Sequence, residues 1–401
     1  MAALRRCLPS HVARSLFSTL TSSAPDKPTF SSYRKLRSAI KSETDPEKLA
    51  EIFQKSSNLS IFNRDRPMFD LSIEKLAASG RQDLIEWVLE HQKSLTQSPF
   101  LKSEGFWIRI MMLYSSAGMV DQAVRTFDQM KEMGCNRTEK SLCAILSVFL
   151  ENRKFDKVHE SFAEIPPKIG VSPSAVSYSL VLKAFCKEKS LQSLDSARSL
   201  LEQMEKEKGL SPDITSYNIL LGAYLKRKDA TKFDETVKEI SDKGLQPNLT
   251  TYNHRISRFC RAKECVRAKK LFDEMVSKGI KPNSTSYNTL IHGFCKVGDF
   301  ESAKKVLERM CSDNVAPTSI TYVTMIRYMV EEGEFESALE MCNECMKRKW
   351  APPLESMEGL INGLVKSSKV DEAKEIAEKV KMKVKGSAVD SWKKIESGLP
   401  L

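Results

Sequence analysis

A three-residue pattern that recurs every 35 residues constrains the fold of this 401-residue chain more than any other feature. Tyr217, Tyr252 and Tyr287 each follow a Ser or Thr and each precede an Asn. Gly244 and Gly279 recur at the same interval, and each is followed three residues later by a Pro. A fixed interval of this length is typical of arrays in which one small structural unit stacks on the next.

The register of this pattern divides the chain into repeat units. Those between residues 104 and 388 are predicted at 104–138, 139–174, 175–213, 214–248, 249–283, 284–318, 319–353 and 354–388. The unit 175–213 carries an insertion of four residues. Two degenerate hairpins are predicted for residues 28–103, and residues 389–401 are predicted to form a C-terminal capping tail. The period therefore predicts one continuous array rather than several unrelated domains.

Each unit contains two segments with the apolar spacing of an amphipathic helix. In the unit 284–318 the first stripe is Tyr287, Leu290, Ile291, Phe294 and Cys295, and the second is Ala303, Val306, Leu307 and Met310. One hairpin cannot bury both of its stripes, whereas stacked neighbours can. The expected fold is all-α: an α-solenoid of about ten helix-turn-helix hairpins in a right-handed superhelix, with the first helices on its inner surface.

The N-terminal segment is basic and has the composition of a targeting sequence. It contains Arg5, Arg6 and Arg14 and five Ser, and its first acidic residue is Asp26. Arg-rich, Ser-rich and acid-poor segments are typical of organellar transit peptides. We therefore expect residues 1–27 to be a disordered mitochondrial transit peptide that directs the chain to the matrix. A plastid destination, or a basic tail without a targeting role, is the alternative.

A column of cations stands at the thirteenth position of successive units. The chain has 63 Lys and Arg against 52 Asp and Glu, a net charge of +11, which permits a polyanionic partner. The column consists of Lys187, Lys226, Arg261 and Lys296. These side chains are the candidates for contacts to the phosphates of such a partner. They end their predicted helices, so a stabilising interaction with the helix dipole is the alternative role.

The sequence contains no pattern that predicts catalysis, a metal site or a cofactor. Cys342 and Cys345 align with Leu307 and Met310 of the preceding unit, which predicts that both are buried core residues rather than metal ligands. His254 and His292 are expected at surface helix positions, and a place facing the groove is the alternative. No stretch approaches the ~20 apolar residues of a membrane-spanning helix. We therefore expect no enzyme, no small-molecule substrate and no membrane partner.

The unit resembles the pentatricopeptide repeat, because it is 35 residues long, opens with Thr/Ser-Tyr-Asn and ends with Gly-x-x-Pro-Asn/Asp. The resemblance covers residues 104–388 well and 28–103 weakly, and the even unit length is similar to the P-type class of the family. The short chain, the basic N-terminal segment and the ending Ser391–Leu401 look like a small group of plant mitochondrial members. Some members of that group are ribosome-associated. The resemblance implies an RNA-binding protein.

In this family, the fifth and the last residue of a unit together set which base is bound. The resemblance assigns base readout to Ser179 with Asp213, Asn218 with Asn248, Asn253 with Asn283, and Asn288 with Thr318. The family pattern implies a purine followed by three pyrimidines. The second residues, which sandwich bases in the family, are Val176, Thr215, Thr250, Thr285 and Ile320. Because Asn and Asp also suit turns and helix starts, a purely local role for them is the alternative.

The predicted function is RNA binding in mitochondrial post-transcriptional gene expression. Only four units carry readable pairs, too few to select one message from an organellar transcriptome. We therefore expect a mitoribosome-associated component that contacts rRNA or mRNA during translation. The alternative is a solitary factor for the stability, processing or translation of one mRNA. A protein-binding scaffold is disfavoured, because its groove would be acidic or apolar rather than lined by cations.

Overall fold

The computed structural model describes residues 30–57, 59, 62, 65–95, 103–190, 192–386 and 388–400. The predicted transit peptide, residues 1–27, lies outside these ranges. Within them the chain forms helices joined by short turns and contains no strand. The chain divides into two compact units, Met1–Ser172 and Pro173–Leu401, which are described separately.

The first compact unit forms helices α1 to α8 in its described residues. They are α1 (Phe30–Ser42), α2 (Pro46–Ser56), α3 (Arg66–Ala78), α4 (Gln82–Ser94), α5 (Glu104–Ser116), α6 (Val120–Glu132), α7 (Glu139–Glu151) and α8 (Phe155–Ile169). Consecutive helices α5 and α6 form one antiparallel hairpin, and α7 and α8 form the next. Helix α5 also packs against α7, so the first helix of one hairpin contacts the first helix of its neighbour.

The second compact unit has the same kind of arrangement and contains more hairpins. Its helices are α9 (Ala175–Lys187), α10 (Ser193–Lys208), α11 (Ile214–Arg227), α12 (Ala230–Asp242), α13 (Leu249–Arg261), α14 (Cys265–Ser277), α15 (Ser284–Lys296), α16 (Phe300–Ser312), α17 (Ser319–Glu331), α18 (Phe335–Lys347), α19 (Leu354–Lys366), α20 (Val370–Lys383) and α21 (Ala388–Glu396). The first helices α9, α11, α13, α15, α17 and α19 pack against one another in order. The predicted all-α fold of stacked helical hairpins is confirmed.

The hairpin of α15 and α16 shows why the repeat sequence folds in this way. The backbone N–H of Ser286 donates to Oδ1 of Asn283 at 3.0 Å, which satisfies a donor that α15 leaves unpaired. Gly298 then adopts a φ of 77°, a conformation that costs little without a Cβ atom, and the first helix ends. Asp299 starts α16 by accepting from the Ser302 N–H at 3.0 Å.

The tyrosine that marks the repeat is a core residue with a specific polar partner. Tyr252 and Tyr287 are both 0% exposed. The hydroxyl of Tyr252 donates to Glu274 at 3.0 Å, and that of Tyr287 donates to Asp313. Each acid lies near the end of the second helix of the same unit. The tyrosine therefore joins the two helices of a hairpin with both its ring and its hydroxyl.

One apolar core runs through the second compact unit from Tyr252 on α13 to Trp392 on α21. Trp392 is 1% exposed, and α21 packs against both α19 and α20. The last short helix therefore covers apolar surface that the final hairpin would otherwise expose. Terminal coverage of this kind is needed in any stacked array, because the last unit has no further neighbour.

Candidate nucleic-acid interface

An open cavity of about 500 Å³ lies where α9, α11 and α13 pack side by side. We call the surface formed by α9, α11, α13, α15 and α17, with the residue that precedes each helix, the first-helix surface. The residues of the cavity lining that the sequence assigned to RNA contact are Lys187, Thr215, Asn218, Lys226, Asn248, Thr250 and Arg261. Three successive units thus contribute cations, hydroxyls and amides to one concavity.

The four predicted phosphate contacts lie at the C-terminal ends of successive first helices, and all four are exposed. Nη1 of Arg261 donates to the carbonyl oxygen of Leu225 at 2.6 Å, so this guanidinium also caps the end of α11. Within the described part of the chain, Lys187, Lys226 and Lys296 have no hydrogen bond or ion pair. Their ammonium groups are available to phosphates, while their position also suits the helix dipole.

The last residue of each of four units is the N-cap of the next first helix. These residues are Asp213 before α11, Asn248 before α13, Asn283 before α15 and Thr318 before α17. This is the local role that the sequence left open. Because capping occupies the acceptor oxygen, the amide N–H2 is the group that Asn248 and Asn283 retain for a ligand.

Two of the predicted readout pairs are in direct contact. Nδ2 of Asn218 donates to Oδ1 of Asn248 at 3.1 Å. Nδ2 of Asn288 lies 3.4 Å from Oγ1 of Thr318, a long hydrogen bond. In these two units, the side chain of the fifth residue is therefore adjacent to that of the residue that caps the next first helix.

The other two pairs are arranged differently. Asn253 and Asn283 are joined through Ser286, whose Oγ lies 2.7 Å from Oδ1 of Asn253 and 3.1 Å from Oδ1 of Asn283. In the described structure no hydrogen bond links Ser179 to Asp213, and the hydroxyl of Ser179 donates to its own helix instead, to the carbonyl oxygen of Ala175 at 2.8 Å. The structure thus brings the Asn253 pair together indirectly and leaves the Ser179 pair unconnected.

The three asparagines at the fifth position differ in accessibility, which the repeat pattern does not show. Asn218 is only 6% exposed, and its Oδ1 is buried without a hydrogen-bond partner among the described residues. Asn253 and Asn288 are half-buried. An unpartnered buried carbonyl costs roughly 1–3 kcal/mol, so the environment of Asn218 is polar but incompletely satisfied.

The predicted stacking residues are exposed in all five units. Val176 is 60% exposed and Ile320 is 66% exposed. Thr215, Thr250 and Thr285 are also exposed and offer a methyl group with a hydroxyl. Each side chain stands on the first turn of a first helix, beside the cap that precedes it. Flat bases can pack on such side chains without displacing part of the core.

Sequence reasoning missed Lys183, which lines the cavity, and gave the groove only as the alternative for His254, which lines it too. Lys183 lies one helical turn before Lys187 on α9, so the i, i+4 spacing of the two lysines was the available signal. His254 was expected at the surface, but it packs into the space that Gly222 leaves on α11. A Cβ atom at Gly222 would lie 3.2 Å from Cε1 of His254. Burial, and secondly the charge of Lys226, lowers the pKa of His254.

A second imidazole, His292, lies one unit further along the first-helix surface. Its Nε2 lies 3.3 Å from the hydroxyl of Tyr328, and the two rings meet edge to face. Burial and the charges of Lys296 and Arg327 lower the pKa of His292. Both imidazoles are therefore neutral at neutral pH, and the surface around them is cationic through lysine and arginine alone.

The described residues contain no group of three or more His, Cys, Asp or Glu side chains that could hold a metal ion. Cys342 and Cys345 are both 0% exposed, in the core of α18, and burial raises the pKa of each thiol. Among the helices that the structure describes, none is long and apolar enough to cross a membrane.

Sequence models of a known repeat match this chain in several places. Models described as PPR repeat family match residues 247–296 and 282–331, and a pentatricopeptide repeat domain model matches 199–261. A PPR repeat model matches 107–135, 320–349 and 358–383. Together these matches cover just over half of the chain.

Two similar proteins are from Arabidopsis thaliana. A mitochondrial pentatricopeptide repeat-containing protein of Arabidopsis thaliana is 40% identical over 167 residues, which is 42% of this chain and 41% of the relative. The small ribosomal subunit protein mS78 (rPPR3a) of Arabidopsis thaliana is 34% identical over 172 residues, which is 43% of this chain and 42% of the relative. The chain thus spans less than half the length of these two relatives.

The crystal structure of the pentatricopeptide repeat protein PPR10 from maize has the same fold. It superposes with a TM-score of 0.51 at 20% sequence identity, covering 91% of this chain and 60% of that chain. At this identity the likeness establishes only the architecture of stacked helical hairpins.

Proposed function

Because this chain belongs to the pentatricopeptide repeat family, we propose that it binds single-stranded RNA along the first-helix surface, without catalysis, in mitochondrial gene expression. The observation that carries the proposal is the cavity shared by α9, α11 and α13, which collects cations, amides and exposed hydroxyl side chains. Single-stranded RNA binding requires this combination of charge for phosphates and polar or flat surfaces for bases.

The arrangement supports a division of labour between affinity and specificity. Lys187, Lys226 and Lys296 supply unpaired charge at a repeated spacing and would track the phosphates, whose binding carries no sequence information. The amides at the fifth and last positions would meet base edges. Asn253, Asn283 and Asn288 are the strongest candidates for readout, whereas the burial of Asn218 restricts its access. The family pattern of a purine followed by three pyrimidines remains a proposal for this chain.

We further propose that the protein works on the mitochondrial ribosome, in contact with rRNA or mRNA during translation. A relative with 34% identity is named as a small ribosomal subunit protein. The short series of readable pairs in the second compact unit supports the same assignment, because a ribosome would hold the RNA in place and supply specificity that four bases lack. The relative with 40% identity is named as mitochondrial, which supports this location for the chain.

The lysine column provides the direct test. Replacing Lys187, Lys226 and Lys296 together by Ala should weaken binding of a single-stranded RNA and reduce its salt dependence. The slope of log K against log salt should fall by ~0.7 for each lost phosphate contact. Arg261 is left intact, because its hydrogen bond to Leu225 gives it a structural role as well.

A matched control removes the same charge from the second helices. Lys238 on α12, Lys270 on α14 and Lys305 on α16 are exposed lysines of three successive hairpins. Their triple replacement by Ala should leave the salt slope nearly unchanged, although the net charge falls equally. If both triple variants lose the same slope, binding depends on total charge, and the first-helix surface is not the RNA site.

A further inference from the structure

Hydroxyl groups from the following unit hold two of the base-facing asparagines in one orientation. We propose that Ser286 and Thr321 are positioning residues, which fix the amides of Asn253 and Asn288 so that each presents its N–H2 group to the base. This inference rests on the proposed RNA-binding function. It concerns the third residue of a unit, the Ser or Thr that precedes the repeated Tyr, to which the sequence pattern assigned no contact with RNA.

Ser286 connects the backbone of Asn283 to the side chain of Asn253 through two hydrogen bonds. The backbone N–H of Asn283 donates to Oγ of Ser286 at 3.3 Å, and the hydroxyl of Ser286 donates to Oδ1 of Asn253 at 2.7 Å. A separation of 2.7 Å is usual for O–H···O and short for N–H···O, so the oxygen of the Asn253 amide faces Ser286. Ser286 is 0% exposed, which excludes water as a competing partner.

Thr321 makes the same relay one unit later with a different residue type. The backbone N–H of Thr318 donates to Oγ1 of Thr321 at 3.0 Å, and Oγ1 donates to Oδ1 of Asn288 at 2.7 Å. Thr321 is 1% exposed. The relay therefore depends on a hydroxyl at this position and is the same for serine and threonine.

Anchoring the carbonyl oxygen leaves the amide nitrogen for the ligand. Among the described residues, Nδ2 of Asn253 has no hydrogen-bond partner, and Nδ2 of Asn288 has only the 3.4 Å contact to Thr318. A fixed N–H2 donor prefers a base edge with a central acceptor, such as N3 of cytosine, over one with a central donor, such as N3–H of uracil. An unanchored amide can rotate by half a turn and present either group, so it distinguishes the two edges poorly.

The unit 249–283 lacks this relay and supplies an internal contrast. Thr251 occupies the third position, but its Oγ1 lies 3.2 Å from Oδ1 of Asn248 and bonds to the cap. Asn218 donates its own Nδ2 to the same Oδ1 at 3.1 Å. The amide nitrogen of Asn218 faces the cap, as that of Asn288 does, but its Oδ1 accepts no hydrogen bond among the described residues. Thr251 is therefore not an anchor for Asn218. Thr251 and Ser286 nevertheless belong to the same kind of capping box.

The test compares Ser286→Ala with Thr251→Ala in the full chain. Each protein is incubated with a pool of short RNAs randomised at every position, and the bound RNAs are sequenced. Ser286→Ala should reduce the base preference at a single position by roughly three- to tenfold, the range that one hydrogen bond provides. Thr251→Ala removes the same capping hydroxyl and should leave that position unchanged. Ser286→Thr keeps the hydroxyl and should restore the preference, with an unaltered salt slope throughout.

The outcomes separate this inference from the proposed function. Unchanged base preference in Ser286→Ala, or an equal change in Thr251→Ala, overturns the positioning role while RNA binding stands. A wild-type chain that retains no RNA from the pool overturns the proposed function and the inference together. If Ser286→Ala does not fold, Thr321→Ala tests the same relay at Asn288, where a preference as strong as that of the wild type overturns the inference.

Discussion

At the residue scale, two imidazoles on the first-helix surface have pKa values below that of a free histidine. His254 packs at Gly222 beside Lys226, and His292 contacts the hydroxyl of Tyr328. Burial is the largest cause that lowers the pKa of each imidazole, and neighbouring cations add to it. Protonation of either ring would add a charge to a partly desolvated and already cationic environment, so the fold favours the neutral form.

We predict that the thermal unfolding midpoint falls as the pH is lowered from neutral through about 6, the region in which an unfolded histidine, with a pKa of ~6.5, takes up its proton. The folded chain binds this proton at a lower pH, so the unfolded state gains protons first and stability is lost. The stabilisation is fully present above the unfolded pKa. His254→Gln, which cannot ionise, should show a smaller fall in the midpoint over the same interval.

The control for this experiment measures the same two proteins at a pH well above 7. There, His254 of the wild type is neutral in both the folded and the unfolded state. The midpoints there report only the packing difference between imidazole and amide, which is subtracted. A pH dependence that is identical in His254→Gln and in the wild type would show that His254 does not contribute.

At the element scale, small residues allow neighbouring helices to approach closely. A Cβ atom at Gly293 on α15 would lie 2.4 Å from Sγ of Cys260, and one at Gly363 on α19 would lie 2.3 Å from the ring of Phe335 on α18. Real Cβ atoms do not approach other atoms so closely. These glycines are therefore required by packing between hairpins, although glycine is otherwise unfavourable inside a helix.

Gly363→Ala is expected to destabilise the second compact unit by roughly 1–2 kcal/mol. Overpacking against the Phe335 ring costs ~1–3 kcal/mol, and the better helix propensity of alanine offsets up to about 1 kcal/mol. Urea unfolding followed by helical circular dichroism measures the difference.

Gly105→Ala on α5 is the matched comparison. The nearest atom to a Cβ there is Oγ of Ser103 at 3.7 Å, an ordinary contact. This variant should be unchanged or stabilised by up to about 1 kcal/mol. If Gly363→Ala were as stable as the wild type, the added methyl group would be accommodated at little cost, and Gly363 would not be required for the packing of α19 against α18.

The sequence was sufficient to predict the helices of each hairpin, but it was insufficient to predict the side-chain contacts between units. The apolar stripes and the glycines predict each hairpin because both act within one unit, and Tyr287 and Gly298 have the expected places. The contact of Asn253 with Ser286 joins side chains 33 residues apart, and no periodicity reports which atom of an amide faces a hydroxyl. The sequence likewise left two places open for His254, because its partial burial depends on the missing side chain of Gly222 in the preceding unit.

At the scale of the whole molecule, the net charge of +11 is distributed unevenly between the two kinds of helix. Several second-helix cations pair with acids of a neighbouring hairpin, such as Lys243 with Glu205 at 2.8 Å and Arg309 with Asp273. Exposed pairs of this kind add little stability, but they cancel much of the local field. The lysines that end the first helices stay unpaired within the described residues, so the first-helix surface retains its positive potential.

For the protein in its organelle, we expect sedimentation with a ribosomal subunit when a mitochondrial lysate is fractionated on a sucrose gradient at low salt. High salt should release it, because phosphate contacts weaken as counterions compete. The Lys187, Lys226 and Lys296 triple variant should dissociate at a lower salt concentration than the wild type.

Nuclease treatment before the gradient distinguishes the particle from free message. A protein found in light fractions both before and after treatment would contradict ribosome association and would favour the solitary mRNA factor. A protein that leaves the heavy fractions after mild digestion of exposed mRNA would have been carried there by the message rather than by the subunit.

Under the proposed base readout, the capping role of Asp213, Asn248, Asn283 and Thr318 would limit which residues could replace them to change the bound base. Only Ser, Thr, Asn, Asp and Gly are good N-cap residues, so few residue types suit this position. Exchanges among Ser, Thr, Asn and Asp would change the group offered to a base while the helix cap is kept. A bulky apolar residue would remove the cap and destabilise the helix. A change of base preference, by evolution or by engineering, should therefore use single substitutions within this set. Such substitutions would change which RNA is bound while the hairpins stay folded.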